Sequence, residues 1–137
     1  MKHCILATQV DNHFVSIICH FDDDADMHGV LNRFHKSENA AAHLITLGDL
    51  NCIQEESISA YHRDWGYTWN QVQPVIHAHP KLLLTYSQAI GCEYLYAFEN
   101  DQWDEIPLTP VHDRIGKDTT VRDYENPSSD AQEIEAA

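Results

Sequence analysis

His3-Cys4-Ile5-Leu6-Ala7-Thr8-Gln9, then Val10-Asp11-Asn12-His13, then Phe14-Val15-Ser16-Ile17-Ile18-Cys19-His20-Phe21: residues 3–21 are two β-rich runs with a short polar break between them. Asp and Asn tolerate the positive φ of a tight turn, so the break predicts a β-hairpin. Successive strand residues point to opposite faces, which puts Val15, Ile17, Cys19 and Phe21 together towards a core and Ser16 and His20 on the other side.

The chain beyond this hairpin alternates between clear and unclear signals. Asp22-Asp23-Asp24-Ala25-Asp26 ends the strand pattern, and Met27–His35 predicts a short helix with Val30, Leu31 and Phe34 at helical spacing. Ser37 is placed to cap a second helix over Glu38–Leu47, with Ala41, Leu44 and Ile45 inward and Gly48 closing it. Residues 54–79 show no clean period and are expected to be irregular, with one helical turn. Pro80 opens a third helix, Lys81–Ile90, whose apolar stripe is Leu82, Leu83, Tyr86, Ala89 and Ile90. A second hairpin is predicted from Glu93–Glu99 and Gln102–Leu108 around Asn100-Asp101. The expectation is an α+β protein: an antiparallel sheet of two β-hairpins with about three helices packed on one face. A compact domain is expected over residues 1–112 and a polar, disordered tail over residues 113–137.

A chain of 137 residues fits one domain. It contains no apolar run long enough to span a bilayer, and its first residues lack the pattern of a signal peptide, so a cytoplasmic protein is expected. Cys4, Cys19, Cys52 and Cys92 form no CxxC pair and read as reduced thiols among apolar neighbours. The charge is decisive: 22 acidic residues against 8 basic ones give −14. Residues 1–112 contribute −10 of this, so the acidity belongs to the folded part as well as to the tail. Such a field repels nucleic acid and anionic membrane and attracts basic protein surfaces.

Four constellations are candidates for chemistry. His20, Asp22, Asp24 and His28, with Asp23 and Asp26 nearby, combine imidazole and carboxylate as a zinc or manganese site would. A calcium loop is excluded, because neither its glycine nor its terminal glutamate falls in place. His77 and His79, with His62, are a second metal candidate. Cys19 and His20 are adjacent on a strand, point apart, and cannot act as nucleophile and base together. Tyr61 to Trp69 is rich in aromatic residues, and Trp65, Tyr67 and Trp69 are candidate interface anchors.

Ser16-Ile17-Ile18-Cys19-His20-Phe21-Asp22 resembles the Cys-His-Trp/Phe-Asp segment of a family of small proteins encoded by bacteriophages and mobile elements. Leu44-Ile45-Thr46-Leu47-Gly48-Asp49-Leu50 and Glu93-Tyr94-Leu95-Tyr96-Ala97-Phe98 are similar to further stretches of that family. The chain departs from it where Asp23-Asp24-Ala25 replaces Gly-Tyr-Pro. The resemblance implies a phage-like origin and no particular chemistry.

No catalytic set assembles in the sequence, and no cofactor is expected. The expected function is that of an acidic protein that inhibits a host factor, such as a defence component, by stoichiometric binding to its basic surface in imitation of nucleic-acid charge. Asp22, Asp23, Asp24, Asp26, Trp65, Tyr67 and Trp69 are the expected contact residues. A homodimer is left open, and the alternative is a small metal-dependent hydrolase built on the histidine-aspartate loop.

Overall fold

Strands β1 (Lys2–Val10) and β2 (His13–Phe21) form the expected hairpin, paired from Lys2↔Phe21 to Val10↔His13, in a computed structural model that describes residues 2–109. Asp11 takes a φ of 55° at the turn, as its residue type allows. The tail expected over residues 113–137 lies outside the described residues.

Helix α1 (Met27–Phe34) follows, capped by the Asp26 carboxylate, which accepts from the Gly29 N–H at 3.0 Å. Helix α2 (Glu38–Thr46) is capped by Ser37, whose Oγ accepts from Ala40 N–H at 3.0 Å; it buries Ala41, Leu44 and Ile45 as expected. Gly48 sits just past its end at φ 78°. A Cβ there would lie 2.6 Å from the Val72 carbonyl oxygen and 3.1 Å from the Trp69 ring, so both backbone angle and space require glycine.

Residues 54–79 are not the irregular stretch expected. Strand β3 (Leu50–Gln54) turns through Glu55 and Glu56 into β4 (Ser57–Ala60). Two short helices, α3 (Tyr61–Trp65) and α4 (Trp69–Val72), precede the three-residue strand β5 (Val75–His77). Helix α5 (Pro80–Ala89) leads to the second hairpin, β6 (Tyr94–Glu99) and β7 (Gln102–Pro107), with positive φ at both Asn100 and Asp101.

The predicted sheet must be corrected. It is a mixed sheet of seven strands in the order β4-β3-β2-β1-β6-β7, with β5 paired to β2. The two hairpins join through a parallel pair, β1 with β6, from Cys4↔Tyr94 to Thr8↔Phe98. The helices also cover both faces instead of one. On one face α1 and α2 pack Met27, Leu31, Leu44 and Ile45 against Leu6, Ile17, Cys19 and Trp103. On the other, α5 packs Leu83 against Ile5, Ile18 and Leu95. The physical reason is legible in β1, where Cys4 to Thr8 are all buried: a central strand covered on both sides carries a continuous apolar run.

The outer edge of β2 is divided, pairing with β5 at Phe14–Ser16 and with β3 at Cys19. Ile18 falls at the junction, and the buried Asp49 carboxylate accepts its N–H at 2.9 Å. A carboxylate in this position satisfies a donor that neither neighbouring strand reaches.

Candidate functional site

The parallel β1·β6 pair has a consequence for charge. Because these strands run the same way, the β1–β2 and β6–β7 turns emerge at the same end of the sheet. Helix α2 begins beside them. Between the two turns and the first half of α2 lies a cleft of about 550 Å³. It is lined by Asp11 from the first turn, Glu99 and Asp101 from the end of β6 and the second turn, and Glu38 from α2, with no lysine, arginine or histidine among the described residues of its lining. Val10, Ala42 and Phe98 supply apolar wall, and Thr8 lines it from β1. Four carboxylates around a partly apolar hollow suit a cationic group on an aliphatic stem, since such a lining raises the local concentration of cations.

Sequence reasoning missed this site. Asp11 and Asn100-Asp101 are legible as turn residues and Glu38 as a favourable first-turn acid. Nothing in their spacing announces that they meet, because their meeting depends on a strand pair separated by most of the chain.

The aspartate loop lies at the other end of the ribbon, beyond the Lys2↔Phe21 pair. Asp22, Asp23 and Asp24 are exposed, the Asp22 carbonyl accepts from Ala25 N–H in a turn, and Asp26 is used as the cap of α1. His20 and His28, the imidazoles of the first metal candidate, lie on opposite faces of the sheet. His28 Nε2 donates to the Trp103 carbonyl at 2.9 Å and its ring stacks on Tyr96, both on the α1 side. His20 is buried on the reverse side, where the Tyr61 hydroxyl lies 3.1 Å from its Nδ1 and the His3 ring packs edge-on at 4.4 Å. Desolvation, reinforced by His3, pushes His20 down to about 4, so the ring is neutral near neutral pH. Tyr61 is held well above the ordinary tyrosine range by burial.

The second histidine candidate also disperses. His77 Nε2 lies 2.8 Å from Ser16 Oγ in a buried hydrogen bond, and burial lowers its pKa. His62 Nδ1 donates to the Tyr67 carbonyl at 2.7 Å, and His79 is the exposed residue preceding α5. Among the described residues no three histidine, cysteine, aspartate or glutamate side chains converge as a metal-holding group. Cys19 faces the α1–α2 core and His20 the reverse side, as strand alternation requires.

The three aromatic candidates separate as well. Tyr67 is 6% exposed and packs on Tyr61 and Val72, so its ring is core. Trp65 is 58% exposed with its Nε1 donating to Ser59 Oγ at 2.9 Å, and Trp69 is 38% exposed against His62. These two tryptophans are the exposed members of the aromatic set.

Comparison with protein-family models, with curated proteins and with solved structures found no match to this chain. No helix of the described residues is long and apolar enough to cross a membrane.

Proposed function

We propose that the protein acts by stoichiometric binding to a basic surface of another protein. The observation that carries this reading is the acidic cleft, in which four carboxylates from three separate elements meet with no basic residue among the described lining. The excess charge of the chain, −14, would steer a basic partner over a distance set by the ionic strength. Exposed Trp65 and Trp69 would supply desolvated apolar contact, which charge alone does not. A target that would fit the resemblance to phage-encoded proteins is a cytoplasmic host protein that handles nucleic acid or takes part in defence, with the carboxylates imitating phosphates.

The test is capture of partners by the full chain from host lysate, followed by titration of each purified partner. The expected outcome is saturation at a fixed molar ratio and an association rate that falls steeply with salt. A partner modified or cleaved at substoichiometric doses would refute the reading and call for an enzyme.

A further inference from the structure

We infer that the acidic cleft is a receptor for lysine and arginine side chains presented by an extended basic segment of the partner, with the Thr8 hydroxyl as its inner hydrogen-bonding group. The inference rests on the proposed function and makes it specific: a built pocket, and not the average charge of the surface, selects the partner.

Thr8 provides an observation independent of the carboxylates. Its position on β1 is even-numbered with Cys4 and Leu6, so its side chain faces the α2 side, next to its sheet neighbour Phe98. There it lines the cleft while only 7% exposed. Its hydroxyl makes no hydrogen bond to any of the described residues, although buried hydroxyls ordinarily find a partner. Buried Ser16 and Ser87 both do so, at 2.8 Å each. A group entering between α2 and the two turns would bring Thr8 the donor it lacks.

The cleft's other features narrow the class of that group. The lining combines four carboxylates with apolar surface from Val10, Ala42 and Phe98, a mixture that matches a methylene stem ending in an ammonium or guanidinium head. The volume of about 550 Å³ exceeds one such side chain and accommodates neighbouring residues of a segment. Residues of both turns line the cleft, so an extended segment crossing it would pass from one turn to the other.

Calorimetric titration of the full chain with a capped peptide of lysine and arginine alternating with glycine tests this. Binding should weaken about fivefold in Thr8→Val, which keeps the side chain's shape and removes only the hydroxyl. It should weaken about tenfold or more in Glu38→Gln combined with Asp101→Asn. The charge-matched pair Asp22→Asn and Asp24→Asn, at the far end of the sheet, should change it by less than about threefold. Each variant is first checked for an unchanged melting curve. A peptide with acetylated lysines and citrulline in place of arginine should not bind. Equal losses from the two charge-matched pairs would overturn the inference, as would spermidine binding at least as tightly as the peptide, which would mark a site for free small cations. If lysate capture survives the cleft variants and is lost in the aspartate-loop variant, the cleft inference falls while the proposed function stands. Absence of any saturable partner would instead defeat the proposed function.

Discussion

The two ends of the β1–β2 ribbon each carry four carboxylates, and they are put to different uses. At one end Asp22, Asp23, Asp24 and Asp26 are nearly contiguous, and the chain turns there from strand into helix. Three are exposed and the fourth caps α1. At the other end Asp11, Glu38, Glu99 and Asp101 are scattered through the sequence, yet they line one cleft. Nine paired residues separate the ends, roughly 26 Å at strand spacing. Adjacency in sequence places carboxylates on one loop, where water screens them, whereas convergence around a hollow needs several backbone segments to hold them. The same ribbon also differs along its length in the polar groups it covers: His20 with Tyr61 and the half-buried His3 near the loop end, and the hydroxyls of Ser16 and Thr8 towards the cleft end.

The largest expected effect lies between the ends. Ile17 is buried in the α1–α2 core, so Ile17→Asp should abolish the cooperative melting transition, because an unpaired buried carboxylate costs several kcal/mol against a total of about 5–15. The sequence alone suggests that Ser16→Asp should be tolerated. The structure reverses that expectation, since Ser16 is 1% exposed and bonded to His77. Even Ser16→Ala, which leaves His77 without this partner, should cost about 1–3 kcal/mol in chemical denaturation. If Ser16→Asp melts like the parent, the second face of β2 is not packed as described.

The next effect belongs to the loop end and is read from pH. His20 is held at about 4 in the folded protein against an ordinary 6.5. Between these values the unfolded chain binds the proton and the folded chain does not. The contribution is therefore fully present above pH 6.5 and is lost as pH falls towards 4. Its size is on the order of 3 kcal/mol, and His3 and His77, also lowered, act in the same direction. The comparison is with His20→Asn, which removes this ring's titration and leaves every other group in place. Stability of the parent should fall more steeply with acid between pH 6.5 and 4.5 than that of the variant. Parallel profiles would show that His20 is not the buried neutral ring described.

The smallest effect separates the carboxylates within the aspartate loop. Asp26→Ala removes the α1 cap and should lower stability by about 1 kcal/mol. Asp22→Asn and Asp24→Asn should stay within about 0.5 kcal/mol of the parent in the same denaturant titration. Equal costs at all three positions would erase the distinction between a capping carboxylate and exposed ones.

Local chemistry, readable from the sequence by itself, determines much of this protein. The Asp11-Asn12 and Asn100-Asp101 turns, the Ser37 cap, the glycine after α2 and the proline opening α5 all depend on a few neighbouring residues, and all stand where the sequence places them. Of the inward set Val15, Ile17, Cys19 and Phe21, which follows from strand alternation, the last three are buried and Val15 packs half-buried against the same core. Strands β3, β4 and β5 escape such a reading because three to five residues are too few to establish a period, and the sheet, not their own pattern, holds them extended. The exposure of Leu82, expected inside, and the burial of Ser16, expected outside, are decided by α5 and β5 covering the second face. Above all, the β1·β6 pair joins residues 4–8 to residues 94–98. No local preference encodes a contact across that separation; it is selected by the apolar surface that both sheet faces bury when the hairpins align. That single choice brings two turns and a helix start together, and with them the acidic cleft.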